Sequence, residues 1–194
     1  MRRQGRGCRR GNHRQGQAFL RRRGLKVTTL DDLLVGVSSL KESVEFRQKV
    51  NLQNETFVLT NGCFDLLHAG HIYCLEQSAA LGNHLWVALN SDLSVRVLKG
   101  SSRPVQGERE RAYALLSLKS VSGVFLFDGK RISSEIKALS PDAYAKSGDY
   151  CLQTMDQGER ESLEQVGSEI HFLPFLEGCG TTGLLQKIKG LPEI

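Results

Sequence analysis

Long apolar runs are missing from this 194-residue sequence. None approaches the roughly 18 residues a membrane-spanning helix needs, so no transmembrane segment is expected. A C-x-x-C pair is also missing, and the five cysteines, Cys8, Cys63, Cys74, Cys151 and Cys179, are an odd number. A disulfide framework is therefore not expected, and a reducing cytoplasm is the natural compartment. Acidic residues are absent from the first 24 positions, which hold nine arginines and no lysine. With a net charge of +5 over the whole chain, the remaining 170 residues carry a net charge of −4. The basic balance that would suggest nucleic acid thus belongs to the leading segment, and nucleic acid is not an expected partner of the rest.

That segment is also poor in apolar residues and can bury nothing, so residues 1–24 read as a basic disordered tail. It has no hydrophobic h-region, which excludes a secretory signal. A solvated leader, an RNA- or anion-binding arm and an Arg-rich transit peptide remain open for it. Residues 25–55 read as an N-terminal helix and linker, and residues 56–194 as the main domain. Hydrophobic residues make up 40% of the chain and charged residues 24%, enough for one real core.

From Thr29 onward Leu30, Leu33, Leu34, Val37 and Leu40 recur at helical spacing, with Asp31 and Asp32 in the first turn. Beyond position 56, short apolar runs alternate with amphipathic stretches. Strands are expected at 57–60, 85–89, 123–127, 143–146 and 169–173, and helices at 69–81, 108–118, 132–139, 157–166 and 181–188. Such alternation predicts a Rossmann-like α/β fold, a doubly wound parallel five-stranded sheet with an extra N-terminal helix. Ligands in these sheets sit beyond the carboxyl ends of the strands, which directs attention to the loops after Thr60, Leu89, Lys146 and Leu173.

The first loop, T-N-G-C-F-D-L-L-H-A-G-H over residues 60–71, runs from a strand end through a glycine turn into a helix start. His68 and His71, three apart, share one side of the first helical turn. Helix N-termini expose unpaired N–H groups and partial positive charge, which suit phosphate. Imidazole donors add directed hydrogen bonds, and Gly70 leaves room for a bulky anion. A zinc reading of Cys63, His68, His71 and Cys74 fits no common ligand spacing. A pair of ordinary histidines is the other alternative.

H-A-G-H resembles the H-x-G-H signature of the cytidylyltransferase-like nucleotidyltransferases, and is most similar to the ADP-heptose synthase type, which adenylylates a heptose 1-phosphate. Further segments follow in that family's order: Asn90-Ser91-Asp92, Leu98-Lys99-Gly100, Arg103-Pro104-Val105, Lys146-Ser147-Gly148-Asp149-Tyr150 and Glu177-Gly178-Cys179-Gly180-Thr181-Thr182. The resemblance spans about residues 25–190. Two positions depart from it: Gly180 stands where the family has Ser, and Ser147 where it has Gly. The first departure loses a hydroxyl but keeps a backbone N–H.

The resemblance implies ATP and a sugar phosphate as substrates, Mg²⁺ held mainly by phosphate oxygens, and a homodimer. His68, His71 and Lys99 would be catalytic. Asn61, Gly62, Phe64, Gly70, Arg111, Gly178, Thr181 and Thr182 would bind nucleotide and phosphate. Asp65, Asp92, Lys146 and Asp149 would meet the acceptor, and no side chain is expected to ligate the metal. Many such enzymes carry a sugar-kinase domain ahead of the transferase, for which this length leaves no room. H-x-G-H and Thr-Thr do not separate this reaction from CTP-dependent transfer to glycerol 3-phosphate or another alcohol phosphate. A non-catalytic nucleotide- or RNA-binding protein is the alternative from another class.

Overall fold

The computed structural model of the chain describes residues 36–148, 151–174 and 176–191. The basic tail, the expected helix start at Thr29 and Asp149 lie outside the described residues. The elements run β1 (Val37–Ser38), α1 (Leu40–Leu52), β2 (Phe57–Gly62), α2 (Ala69–Ala79), β3 (His84–Asn90), α3 (Asp92–Lys99), α4 (Glu108–Leu116), β4 (Gly123–Phe127), α5 (Ser133–Leu139), β5 (Ala143–Ser147), α6 (Gln157–Val166), β6 (Glu169–Leu173) and α7 (Thr181–Lys189).

All pairings are parallel, in the order β1-β4-β3-β2-β5-β6. Side chains alternate across the sheet, so Phe57 and Leu59 of β2 enter one core with Phe125, Ile132, Ile136, Tyr144 and Leu163. Val58 enters the opposite core with Leu75, Val87, Leu89, Ala112, Leu115 and Val124. Helices α1, α5 and α6 cover the first face, and α2 and α4 the second. The sheet is doubly wound, as its apolar strands require. Each large side chain fully buried in these layers stabilises the fold by roughly 1.5–3 kcal/mol.

Among the described residues the sheet has six strands where five were expected, and the sixth lies in the N-terminal segment. Val37 and Ser38 pair with Val124 and Phe125 at the sheet edge, so Val37 is not part of a helix. Ser39 then starts α1. Its hydroxyl accepts from the Glu42 N–H at 3.2 Å, while Glu42 Oε2 accepts from the Ser39 N–H at 2.7 Å. This reciprocal capping box satisfies two otherwise orphan donors. The leucine repeat running through Leu40 conceals that break.

A second correction concerns Lys99, expected in a loop. It is the last residue of α3, whose N-cap Ser91 accepts from the Ser94 N–H at 3.2 Å and whose C-cap is Gly100. Strand order reverses between β2 and β5, which makes their carboxyl ends the topological switch point where a crevice opens.

Candidate active site

At the end of β2, Gly62 lets the chain fold tightly: a Cβ there would lie 2.9 Å from the Phe64 ring. Phe64 itself adopts a left-handed φ of 44°, and its ring centroid is 5.1 Å from that of His71. His68 caps α2, its Nδ1 accepting from the His71 N–H at 3.4 Å. A neutral ring that accepts at Nδ1 carries its proton at Nε2, leaving that N–H as the donor. The two imidazoles stack with centroids 3.8 Å apart and an interplanar angle of 20°.

Burial lowers the pKa of both rings. For His71 burial is the largest cause, the His68 and Lys99 charges act with it, and the result is about 4. Burial likewise lowers His68. Both rings are therefore neutral at pH 7. His71 Nδ1 is buried and meets no partner at hydrogen-bond geometry, although the nearby Leu66 backbone pulls towards the cation. The turn therefore presents neutral rings and no standing imidazolium charge at pH 7.

Gly70 has a use beyond the space foreseen for an anion. A Cβ at this position would sit 3.0 Å from Cys179 Cβ and 3.1 Å from the His68 ring. The missing side chain lets the segment before α7 close against the histidine turn. Gly178 in that segment has a φ of 73°, and the N-cap Gly180 offers no side-chain cap. Thr181 and Thr182 begin α7, so the hydroxyls and uncapped N–H groups of its first turn belong to the strand-end side of the sheet where the histidines lie.

Asp65 is buried and committed to the protein. It accepts from the Val105 N–H at 2.7 Å and the Gln106 N–H at 3.2 Å, and pairs with Arg103. Burial alone would raise its pKa, but the Gln106 and Val105 N–H groups and the Arg103 guanidinium hold it below the usual range. Its carboxylate thus staples residues 103–106 over the histidine turn. A direct contact with a sugar hydroxyl or a metal's water shell would have to displace these bonds.

Arg111 is likewise turned inward, 1% exposed. Its guanidinium donates to the carbonyls of Cys63 at 2.6 Å, Asn90 at 2.9 Å and Gln106 at 3.0 Å, and to Asp92 Oδ1 at 2.8 Å. Three segments, the turn after β2, the β3–α3 junction and the loop before α4, are tied by one side chain. These bonds engage the guanidinium expected to meet phosphate, and they engage one oxygen of Asp92. Lys99, at the exposed end of α3, is near enough for its charge to act on His71 and Cys63. The Cys63 thiol is pushed up, chiefly by burial.

Lys146 lies on β5, the strand paired with β2. Its Nζ donates to Glu159 Oε2 at 2.9 Å and approaches Asn61 Oδ1 and the Tyr144 hydroxyl at 3.4 Å each. Asp149, expected to meet the acceptor with it, lies outside the described residues. Glu159, Tyr144 and Arg103 were not singled out for these contacts. A glutamate in an amphipathic helix and a tyrosine in a strand read as a wet face and a core residue, and no local pattern marks their meeting. Among the described residues no three His, Cys, Asp or Glu side chains are grouped to hold a metal ion. Cys63 Sγ faces Asn90 Oδ1 at 3.7 Å and Cys74 Sγ faces the Pro174 carbonyl at 4.0 Å.

The model of the cytidylyltransferase-like family matches residues 59–178, from β2 to the segment before α7. The chain belongs to the cytidylyltransferase-like family. Curated relatives include the bifunctional protein HldE of Koribacter versatilis, 42% identical over 151 residues, or 78% of this chain and 31% of that protein. HldE of Methylococcus capsulatus is 42% identical over 154 residues, 79% of this chain and 32% of that protein. The chain spans about a third of the length of these relatives. A lipopolysaccharide core biosynthesis protein from Thermoplasma volcanium shares the fold, with a TM-score of 0.51 and 24% identity over 63% of this chain and 97% of that one. As a cytidylyltransferase-like protein the chain is a nucleotidyltransferase that uses a nucleotide substrate. No helix among the described residues is long and apolar enough to cross a membrane.

Proposed function

We propose that the protein transfers AMP from ATP to D-glycero-β-D-manno-heptose 1-phosphate, giving ADP-heptose and pyrophosphate for lipopolysaccharide core synthesis. The stacked, neutral His68–His71 pair at the start of α2 carries this proposal. The choice of acceptor rests on the N-G-C-F-D, R-P-V and G-D-Y strings and on the relatives named HldE.

In the reaction, an oxygen of the sugar phosphate attacks the α-phosphorus. The bond from that phosphorus to the β-bridging oxygen breaks, and pyrophosphate departs. The nucleophile is already anionic at neutral pH, so no side-chain base is required. Holding the two phosphates in line supplies roughly 7–11 kcal/mol. The His68 and His71 N–H groups donate to the α-phosphate as charge builds, each worth about 3 kcal/mol when pre-aimed. The first turn of α7, with Thr181 and Thr182, receives the β- and γ-phosphates, and Lys99 folds over them. Lys146 receives the acceptor phosphate. Mg²⁺ enters as part of the nucleotide substrate, because Asp65 and Asp92 are engaged by Arg103 and Arg111.

Pyrophosphate release is to be measured for four nucleoside triphosphates against heptose 1-phosphate, glycerol 3-phosphate and flavin mononucleotide. Turnover of heptose 1-phosphate with ATP alone is expected. Turnover only with CTP and an alcohol phosphate would replace this substrate pair with the runner-up. Nucleotide binding with no release for any pair would favour a non-catalytic pocket. His68→Ala and His71→Ala are each expected to lower kcat about 100- to 1,000-fold with the fold retained, and His68→Ala to lower Tm slightly because it removes the cap of α2.

A further inference from the structure

Glu159 has no part in the chemistry above, yet it is among the most deeply buried acids described. It lies in the first turn of α6, where Asp156 caps the helix. Its side chain is 2% exposed, and its Oε2 meets Lys146 Nζ at 2.9 Å. Lys146 is itself 14% exposed at the carboxyl end of β5. The same ammonium lies 3.4 Å from Asn61 Oδ1 and 3.4 Å from the Tyr144 hydroxyl. That hydroxyl in turn donates to Asn61 Oδ1 at 2.6 Å, joining β2 to β5. Asn61, Tyr144 and Lys146 therefore sit at the switch point, on β2 and β5, and Glu159 reaches them from α6.

Stability alone does not account for the pair. A buried ion pair is often no better than apolar side chains of equal volume, because both charges give up hydration. An unpaired lysine at this depth is costly, and its four-carbon stem permits many placements of the charge. The carboxylate of Glu159 removes that freedom and meets the ammonium from the helix side, while Asn61 and Tyr144 meet it from the sheet.

We infer that Glu159 is a positioning residue: it fixes the Lys146 ammonium at the mouth of the switch-point crevice, where the phosphate of the acceptor docks. The inference rests on the acceptor-binding role of Lys146 proposed above. It makes binding of the acceptor, and not of the nucleotide, depend on a carboxylate carried by α6.

The test uses the full chain in the pyrophosphate-release assay, with ATP and heptose 1-phosphate, or whichever acceptor of the panel turns over. Glu159→Gln is expected to raise the KM for the acceptor about tenfold and to leave the KM for the nucleotide within about twofold. Lys146→Met should raise the acceptor KM at least as much. The double variant Lys146→Met/Glu159→Leu replaces the pair by apolar groups of similar volume. It should unfold at the wild-type temperature while keeping the raised acceptor KM. An unchanged acceptor KM in Glu159→Gln beside a raised one in Lys146→Met would overturn the positioning role and leave Lys146 as the acceptor's contact. An unchanged acceptor KM in Lys146→Met would remove that contact, and this inference with it. Recovery of the acceptor KM together with Tm in the double variant would reduce the pair to packing.

Discussion

His71 shows how burial and a neighbouring ring set the protonation of a phosphate site. Its pKa of about 4 lies below the ordinary 6.5, so the folded protein resists a proton that the unfolded chain accepts. Unfolding then takes up a proton between these two values. Stability is complete above pH 6.5 and falls as the pH drops towards 4, by about 3 kcal/mol from this residue alone. Urea unfolding at pH 7.0, 6.0 and 5.0 measures the slope. In His71→Asn the slope should be shallower over the same interval, and an identical slope would mean that His71 is not held neutral. Bound triphosphate brings negative charge to the ring and opposes the shift. Calorimetry in buffers of different ionisation enthalpy should therefore record proton uptake when nucleotide binds at pH 6.

At the scale of elements, the strand ends are held by side chains that lie far apart in sequence. Asp65 ties the histidine turn to residues 103–106, and Arg111 ties the same turn to the ends of β3 and of that loop. Asp65→Asn keeps the size but leaves Arg103 without its counter-charge, at an expected cost of about 2–4 kcal/mol. The midpoint of guanidinium unfolding checks the stability, and a rise in the nucleotide KM checks the looser turn. The alternation of strands and helices from β2 to α7 was readable because buried parallel strands are apolar throughout and their helices are striped. The histidine turn was readable because its residues are contiguous. The inward Arg111 was not, since arginine in E-R-E-R reads as a solvated helix face until the distant Cys63 and Asn90 carbonyls converge on it. The start of α1 was readable in principle: Ser39-x-x-Glu42 is a capping sequence, obscured by the leucine repeat running into it.

For the molecule as a whole, the uneven charge separates two behaviours. Residues 1–24 bring nine positive charges, and the remainder is net negative. Deleting these residues should leave Tm and kcat/KM unchanged and abolish any salt-sensitive retention on RNA. Retention that survives the deletion would locate a nucleic-acid surface on the folded part. The face-to-face histidines bear on the same charge balance. Two rings 3.8 Å apart repel each other once both are protonated, so the pair takes on a single positive charge far more readily than a second. A nucleoside triphosphate carries about four negative charges at neutral pH, where the imidazoles are neutral and offset none of them; at lower pH they offset about one at most. The site is therefore a receiver with a low ceiling. It suits a nucleotide that arrives already partly neutralised by its own divalent escort, and it disfavours the bare anion.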